Sequence, residues 1–141
     1  MAITRVNSFV QWAAANSKLI TSATEVVSDE FAVDATTVLL GIQLSADNSS
    51  TPVDGDTAKF KIQWSTGDIL EDTGNDFDTS EHAEFLATLD TFATNTPGED
   101  PARRTIWIPP TAPFFKIGVT AANAATRNIT VRVRVTEQRA A

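Results

Sequence analysis

Arg127-Asn128-Ile129-Thr130-Val131-Arg132-Val133-Arg134-Val135-Thr136-Glu137 decides the fold class of this chain. Apolar Ile129, Val131, Val133 and Val135 alternate with polar Thr130, Arg132, Arg134 and Thr136, and period two in β-branched residues is the pattern of a half-buried strand. The same alternation recurs upstream. Phe60, Ile62 and Trp64 interleave with Lys59, Lys61 and Gln63, while Val38, Leu40, Ile42 and Leu44 make one face of a further strand whose other face carries Leu39. Ile106 and Ile108 mark a short strand stopped by Pro109-Pro110, which have no amide to give to a ladder. Phe115, Ile117 and Val119 make a fifth strand and Glu25 to Val33 a sixth.

Turn-forming clusters separate these runs: Ala46 to Gly55, Ser65 to Asp68, Asp72 to Asp78, Asn95 to Pro101, and Ala121 to Arg127. Short strands punctuated at this interval predict an all-β chain, an antiparallel β-sandwich of jelly-roll type. Residues 80–94 fit two patterns. Phe85, Leu89 and Phe92 make a helical stripe with Ser80 as N-cap, whereas the Thr-rich composition fits one arm of a hairpin with Arg104 to Ile108, and the strand is preferred. Residues 1–24, with Trp12 and the run Ala13-Ala14-Ala15, read as an N-terminal arm or short helix that packs on a neighbouring subunit, or as an ordinary first strand. Residues 25–141 are the sandwich domain.

The length of 141 residues suits one domain. No apolar run reaches the roughly 20 residues of a membrane helix, and Asn7, Ser8, Gln11 and Asn16 break any signal-peptide core near the start, so the chain reads as soluble and not exported. Cysteine is absent, which removes disulfides, thiolate nucleophiles and zinc-thiolate sites. The net charge of -7 conceals segregation along the chain. Residues 25–100 hold 17 of the 18 acids with only Lys59 and Lys61, while residues 101–141 hold seven bases against Glu137. Either neighbouring strands mix these charges in space, or the fold has an acidic rim and a basic edge suited to docking.

Few motifs point to chemistry. Asp72-Thr73-Gly74 matches the aspartic-protease triplet, but Glu71 before it and Asn75-Asp76-Phe77-Asp78 after it describe an exposed acidic loop rather than a dry dyad. The acids of 68–81 do not reproduce an EF-hand spacing, and no metal site is assigned. His82 is the only histidine, flanked by Glu81 and Glu84, and reads as a surface residue. Six glycines show no phosphate-cradling order, so no catalytic residue and no cofactor are expected. Arg132 and Arg134 share a strand face with Arg103, Arg104 or Lys116 from neighbouring strands as company, and Trp107 lies opposite Ile106 and Ile108 on its own strand. Exposed Trp beside Arg is the composition of an interface hot spot, although Pro109 and Pro110 offer it local cover. Because the acidic remainder repels phosphates, protein contact is expected in place of nucleic acid. The candidate interface residues are Trp12, Arg103, Arg104, Trp107, Lys116, Arg132 and Arg134.

From Thr37 to Glu137 the order of elements resembles the head decoration, or cement, proteins of tailed bacteriophages. The resemblance rests on a polar start, the apolar strand Val38 to Leu44, the Trp-ended strand Lys59 to Trp64 with acidic turns after it, and the closing pair Phe114 to Thr120 and Ile129 to Val135. It implies a non-enzymatic virion protein made in the host cytoplasm, binding the major capsid protein as a homo-oligomer, with a trimer favoured. The alternatives are a carbohydrate- or ligand-binding module of a phage fibre or tail, and a small hydrolase.

Overall fold

The computed structural model describes residues 2–48, 52–79, 81–94, 102–124 and 127–140. Among the described residues ten strands form two antiparallel sheets: β1 Ile3–Phe9, β2 Lys18–Ile20, β3 Val26–Val27, β4 Phe31–Ala32, β5 Thr37–Asn48, β6 Thr57–Ser65, β7 Glu84–Asp90, β8 Ala102–Ile108, β9 Phe114–Ala121 and β10 Ile129–Ala140. The first sheet runs β1-β10-β5-β8 with β2 also on β10, and the second runs β3-β9-β6-β7 with β4 also on β9. The chain is therefore the all-β antiparallel sandwich that its alternations predict. β10 is the axis of the first sheet. It pairs with β5 from Ile129↔Asn48 onward, and β1 and β2 take its other edge in succession.

The core lies between the sheets. Val131, Val133 and Val135 from β10, with Leu40, Ile42 and Leu44 from β5, face Phe60 and Ile62 of β6 and Phe115, Ile117 and Val119 of β9, all fully buried. Phe115 anchors the second sheet, stacked on Phe31 at 4.8 Å and edge-on to Trp64 at 5.6 Å, geometries that add to plain area burial.

Several expectations need correction. No helix or projecting arm forms at the N-terminus among the described residues; the alternative, an ordinary first strand, does: β1 is an edge strand, and Val10, Trp12 and Ile20 belong to the core. The turn after Trp12 closes on Ala15 through two backbone hydrogen bonds of 2.7 and 3.0 Å, with Ala13 and Ala14 in the left-handed region. β7 is a strand, but it pairs with β6 in the second sheet, while β8 pairs with β5 in the first, so the expected hairpin between them is absent. The stretch from Glu25 to Val33 splits into β3 and β4, both on β9. Val38 is half exposed and Thr37 takes its place inside, because a register shift opposite Gln138 and Arg139 breaks the alternation at the start of β5. The turn expected from Ala46 begins later, since β5 continues to Asn48. Ser80 and the turn expected over Asn95 to Pro101 lie outside the described residues.

Buried carboxylates tie the loops to this frame. Glu137, on the inner face of β10, accepts from the Thr37 hydroxyl at 2.7 Å, the Asp34 amide at 2.9 Å and the Arg139 guanidinium at 2.9 Å. Burial pushes its carboxyl up, and these three donors outweigh burial and hold it below its ordinary value. Asp34 is lowered by the Thr36 hydroxyl and amide, and Asp56 by Arg127. Groups whose folded pKa is depressed stabilise the fold above their unfolded values, at about pH 4, and lose that contribution as pH falls through the folded ones. Urea-denaturation midpoints are expected to hold steady from pH 7 to about 5 and to fall continuously below about pH 4.

Candidate functional site

On a strand that buries its odd residues, the even ones must face out, and β10 therefore presents Arg132, Arg134 and Thr136 on the outer side of the first sheet. Register brings neighbours to the same side: Phe9 and Asn7 of β1 lie opposite Arg134 and Thr136, Gln43 and Ser45 of β5 opposite Arg134 and Arg132, and Thr105 and Arg103 of β8 opposite Gln43 and Ser45. Two shallow clefts of about 250 Å³ each meet at Arg134 and Gln43. One is walled by Trp107, Gly41, Thr105, Thr136 and Asn7, the other by Phe9, Ser45, Arg103 and Arg132.

Trp107 sits directly across from Gly41 in the ladder. A Cβ at Gly41 would meet the Trp107 ring at 2.6 Å, so the indole packs against the glycine backbone while the side chain stays half exposed. The glycine that interrupts the apolar run of β5 is the seat of this platform. Gly41→Ala is expected to lift the indole off the sheet; a shifted tryptophan emission with the urea midpoint moved far less than by a core truncation would confirm it.

Of the residues expected at an interface, Arg103, Trp107, Arg132 and Arg134 converge on this face. Arg104 alternates to the other side of β8, across from Leu44. Lys116 belongs to the second sheet, with its Nζ 4.5 Å from the centre of the Phe77 ring. Trp12 is 3% exposed and cannot present a surface. Sequence reading missed Phe9, Asn7, Gln43 and Gly41. The alternation Arg5, Asn7, Phe9 was a usable signal for β1, whereas the Gly41–Trp107 pairing depends on which strands are neighbours. The face carries Arg5, Arg103, Arg132 and Arg134 against Asp47, so the charge segregation of the sequence survives folding here.

The larger cleft, about 500 Å³, lies at one end of the sandwich between the 66–78 loop and Thr111-Ala112, with Trp64, Ile69 and Phe77 in its wall. Asp76 in its wall, and Asp72 nearby in the same loop, serve the loop itself. Asp76 Oδ2 accepts the amides of Ile69 and Leu70 at 2.8 and 3.0 Å, and Asp72 Oδ1 those of Thr73 and Gly74 at 2.7 and 3.3 Å. These bonds hold the Asp72 carboxyl below its usual range, the opposite of the shared proton that a protease dyad needs. Among the described residues no group of three or more His, Asp or Glu side chains is arranged to hold a metal. His82 is exposed in the turn before β7.

No protein-family model matches the sequence, and no curated protein matches it. Solved structures share the fold. The CBM22-1 and GH10 modules of a Clostridium thermocellum xylanase, crystallised with xylohexaose, align at 11% identity and a TM-score of 0.52 over 96% of this chain and 25% of that one. This chain thus spans a quarter of the length of that two-module chain. The CBM36-1 domain of a xylanase from the hindgut metagenome of Trinervitermes trinervoides aligns at 7% identity and 0.50 over 94% and 96%. A chain of the cyanophage Pam1 capsid aligns at 14% and 0.49 over 98% and 86%. At these identities the likeness is one of architecture: the chain is a β-sandwich.

Proposed function

We propose that this chain is a non-enzymatic structural protein of a tailed-phage virion, a decoration protein that docks on the major capsid protein and stabilises the shell through protein contacts. The observation that carries the reading is the outer face of the first sheet, where arginines gather around an exposed Trp107 and Phe9 although the chain as a whole is at -7. Arg and Trp are the side chains that dominate binding energy at protein interfaces, and a basic patch on an acidic body orients the molecule as it approaches an acidic partner. The resemblance in element order to cement proteins supplies the capsid as that partner, a homo-oligomer, with a trimer favoured, as the working form, and the virion surface as the location. Purified protein is expected to co-sediment with empty expanded capsids and to raise their resistance to heat; protein left wholly in the supernatant refutes the reading.

A second reading has one observation in its favour. A half-exposed indole packed against Gly41, in a cleft that Gln43, Asn7 and Arg134 also line, is also a surface on which a sugar ring can stack. Retention on a soluble glycan that free Trp107→Ala protein lacks would select a carbohydrate-binding module of a fibre or tail instead.

A further inference from the structure

We infer that the basic face of the first sheet receives the Ile69–Leu70 loop of a second copy of this chain, joining the copies head to tail. The inference rests on the protein-contact reading above and gives the same face, in protein free of capsids, a second copy of this chain as its occupant. Ile69 and Leu70 are 76% and 70% exposed, large aliphatics at a loop tip that water would ordinarily disfavour. The loop does not leave them to chance. Asp76 accepts both of their amides, the Asp76 amide returns to the Gly67 carbonyl at 3.0 Å, and Asn75 ties the loop to Glu30 of the body at 2.7 Å. A preformed apolar knob is the result, and preorganisation reduces what must be ordered on binding.

Its charge matches the face. Asp68, Glu71 and Asp72 ring the knob, and no lysine or arginine lies between Trp64 and Arg103. The receiving face offers the converse, exposed Phe9 and Trp107 for the aliphatics and Arg132 and Arg134 for the acids. One molecule cannot bring the two together, because the loop joins β6 to β7 of the second sheet while the face looks outward from the first, with a core about 10 Å thick between the sheets. Knob and face are different patches, so the contact is heterologous. Such contacts close into rings when the rotation permits.

Sedimentation velocity on two variants tests this. Ile69→Ser/Leu70→Ser removes the knob and Arg132→Glu/Arg134→Glu reverses the face; all four residues are exposed or at the surface, and unchanged circular dichroism checks the fold. Each variant alone is expected to lose association by on the order of a hundredfold, the scale of losing an interface hot spot. Mixed, they are expected to form a 1:1 pair that grows no further, since each supplies the half the other lacks. A further variant, Asp68→Lys/Glu71→Lys, is expected to restore association to the reversed face. A monomeric wild type, variants that associate like wild type, or a mixture that stays monomeric overturns the inference. Wild-type monomer that co-sediments with capsids leaves the capsid reading standing, while wild-type oligomer that ignores capsids sinks that reading and leaves this one. Monomer that binds only a soluble glycan refutes both.

Discussion

Asp56→Ala is expected to destabilise the fold by about 3–5 kcal/mol, the range for removing one partner of a buried ion pair. Asp56 is fully buried at the end of the sandwich and gathers three separate segments. Arg127 grips both its oxygens, Nε at 2.5 Å and Nη2 at 2.6 Å. Asn123 donates at 3.0 Å, Asn48 at 3.1 Å and the Val53 amide at 2.9 Å, and the backbone carbonyl of Asp56 receives the amide and hydroxyl of Thr91. Alanine would strand all the side-chain donors and leave a guanidinium that is only 19% exposed without its counterion. The measurement is the urea midpoint with its slope. Asp56→Asn, which keeps shape and one acceptor while losing the charge, is expected to fall between. A loss under about 1 kcal/mol for alanine would mean that water or a neighbouring group replaces the carboxylate at little cost. The network is a clasp for loops, which removes this buried acid from any catalytic role.

The second large effect concerns binding and leaves stability almost untouched. Arg132→Glu/Arg134→Glu is expected to reduce capsid association by about a hundredfold or more, because like charges then face each other across the contact and that costs several kcal/mol. Both side chains are exposed on the outer side of β10 while their neighbours Val131, Val133 and Val135 stay buried, so the urea midpoint should remain within the roughly 0.5 kcal/mol typical of surface substitutions. Co-sedimentation at two ionic strengths separates the causes. Residual binding of the variant should respond little to salt, whereas wild-type binding should weaken as salt screens the face. A variant that binds as wild type would reduce these arginines to solubilising residues.

How much of this was legible follows from what is local in sequence and what is not. The valines of β10 and the Phe60, Ile62, Trp64 series of β6 announced their buried faces, because alternation in a strand is a property of successive residues. Arg132, Arg134, Arg103 and Trp107 were picked out for the same reason. Pairing partners are non-local, and there the reading failed: nothing in Ala102 to Ile108 says that β5 rather than β7 lies beside it. Gly41 likewise carries no local sign of its role, which depends on β8 placing Trp107 over it. Trp12 looked available to a neighbour because Ala13 and Ala14, poor residues for a left-handed turn, gave no warning of the hairpin that folds it inward. The bulge at Val38 is likewise set by the opposing strand.

Hydroxyl-radical footprinting of Trp107 tests the central claim, that the outer face of the first sheet is a protein-contact surface. In dilute free protein the half-exposed indole should oxidise readily. On capsids the account predicts strong protection of Trp107 and Phe9, with no change at exposed Phe85 on the second sheet. Capsid-bound protein whose Trp107 oxidises as fast as in the free chain would contradict it.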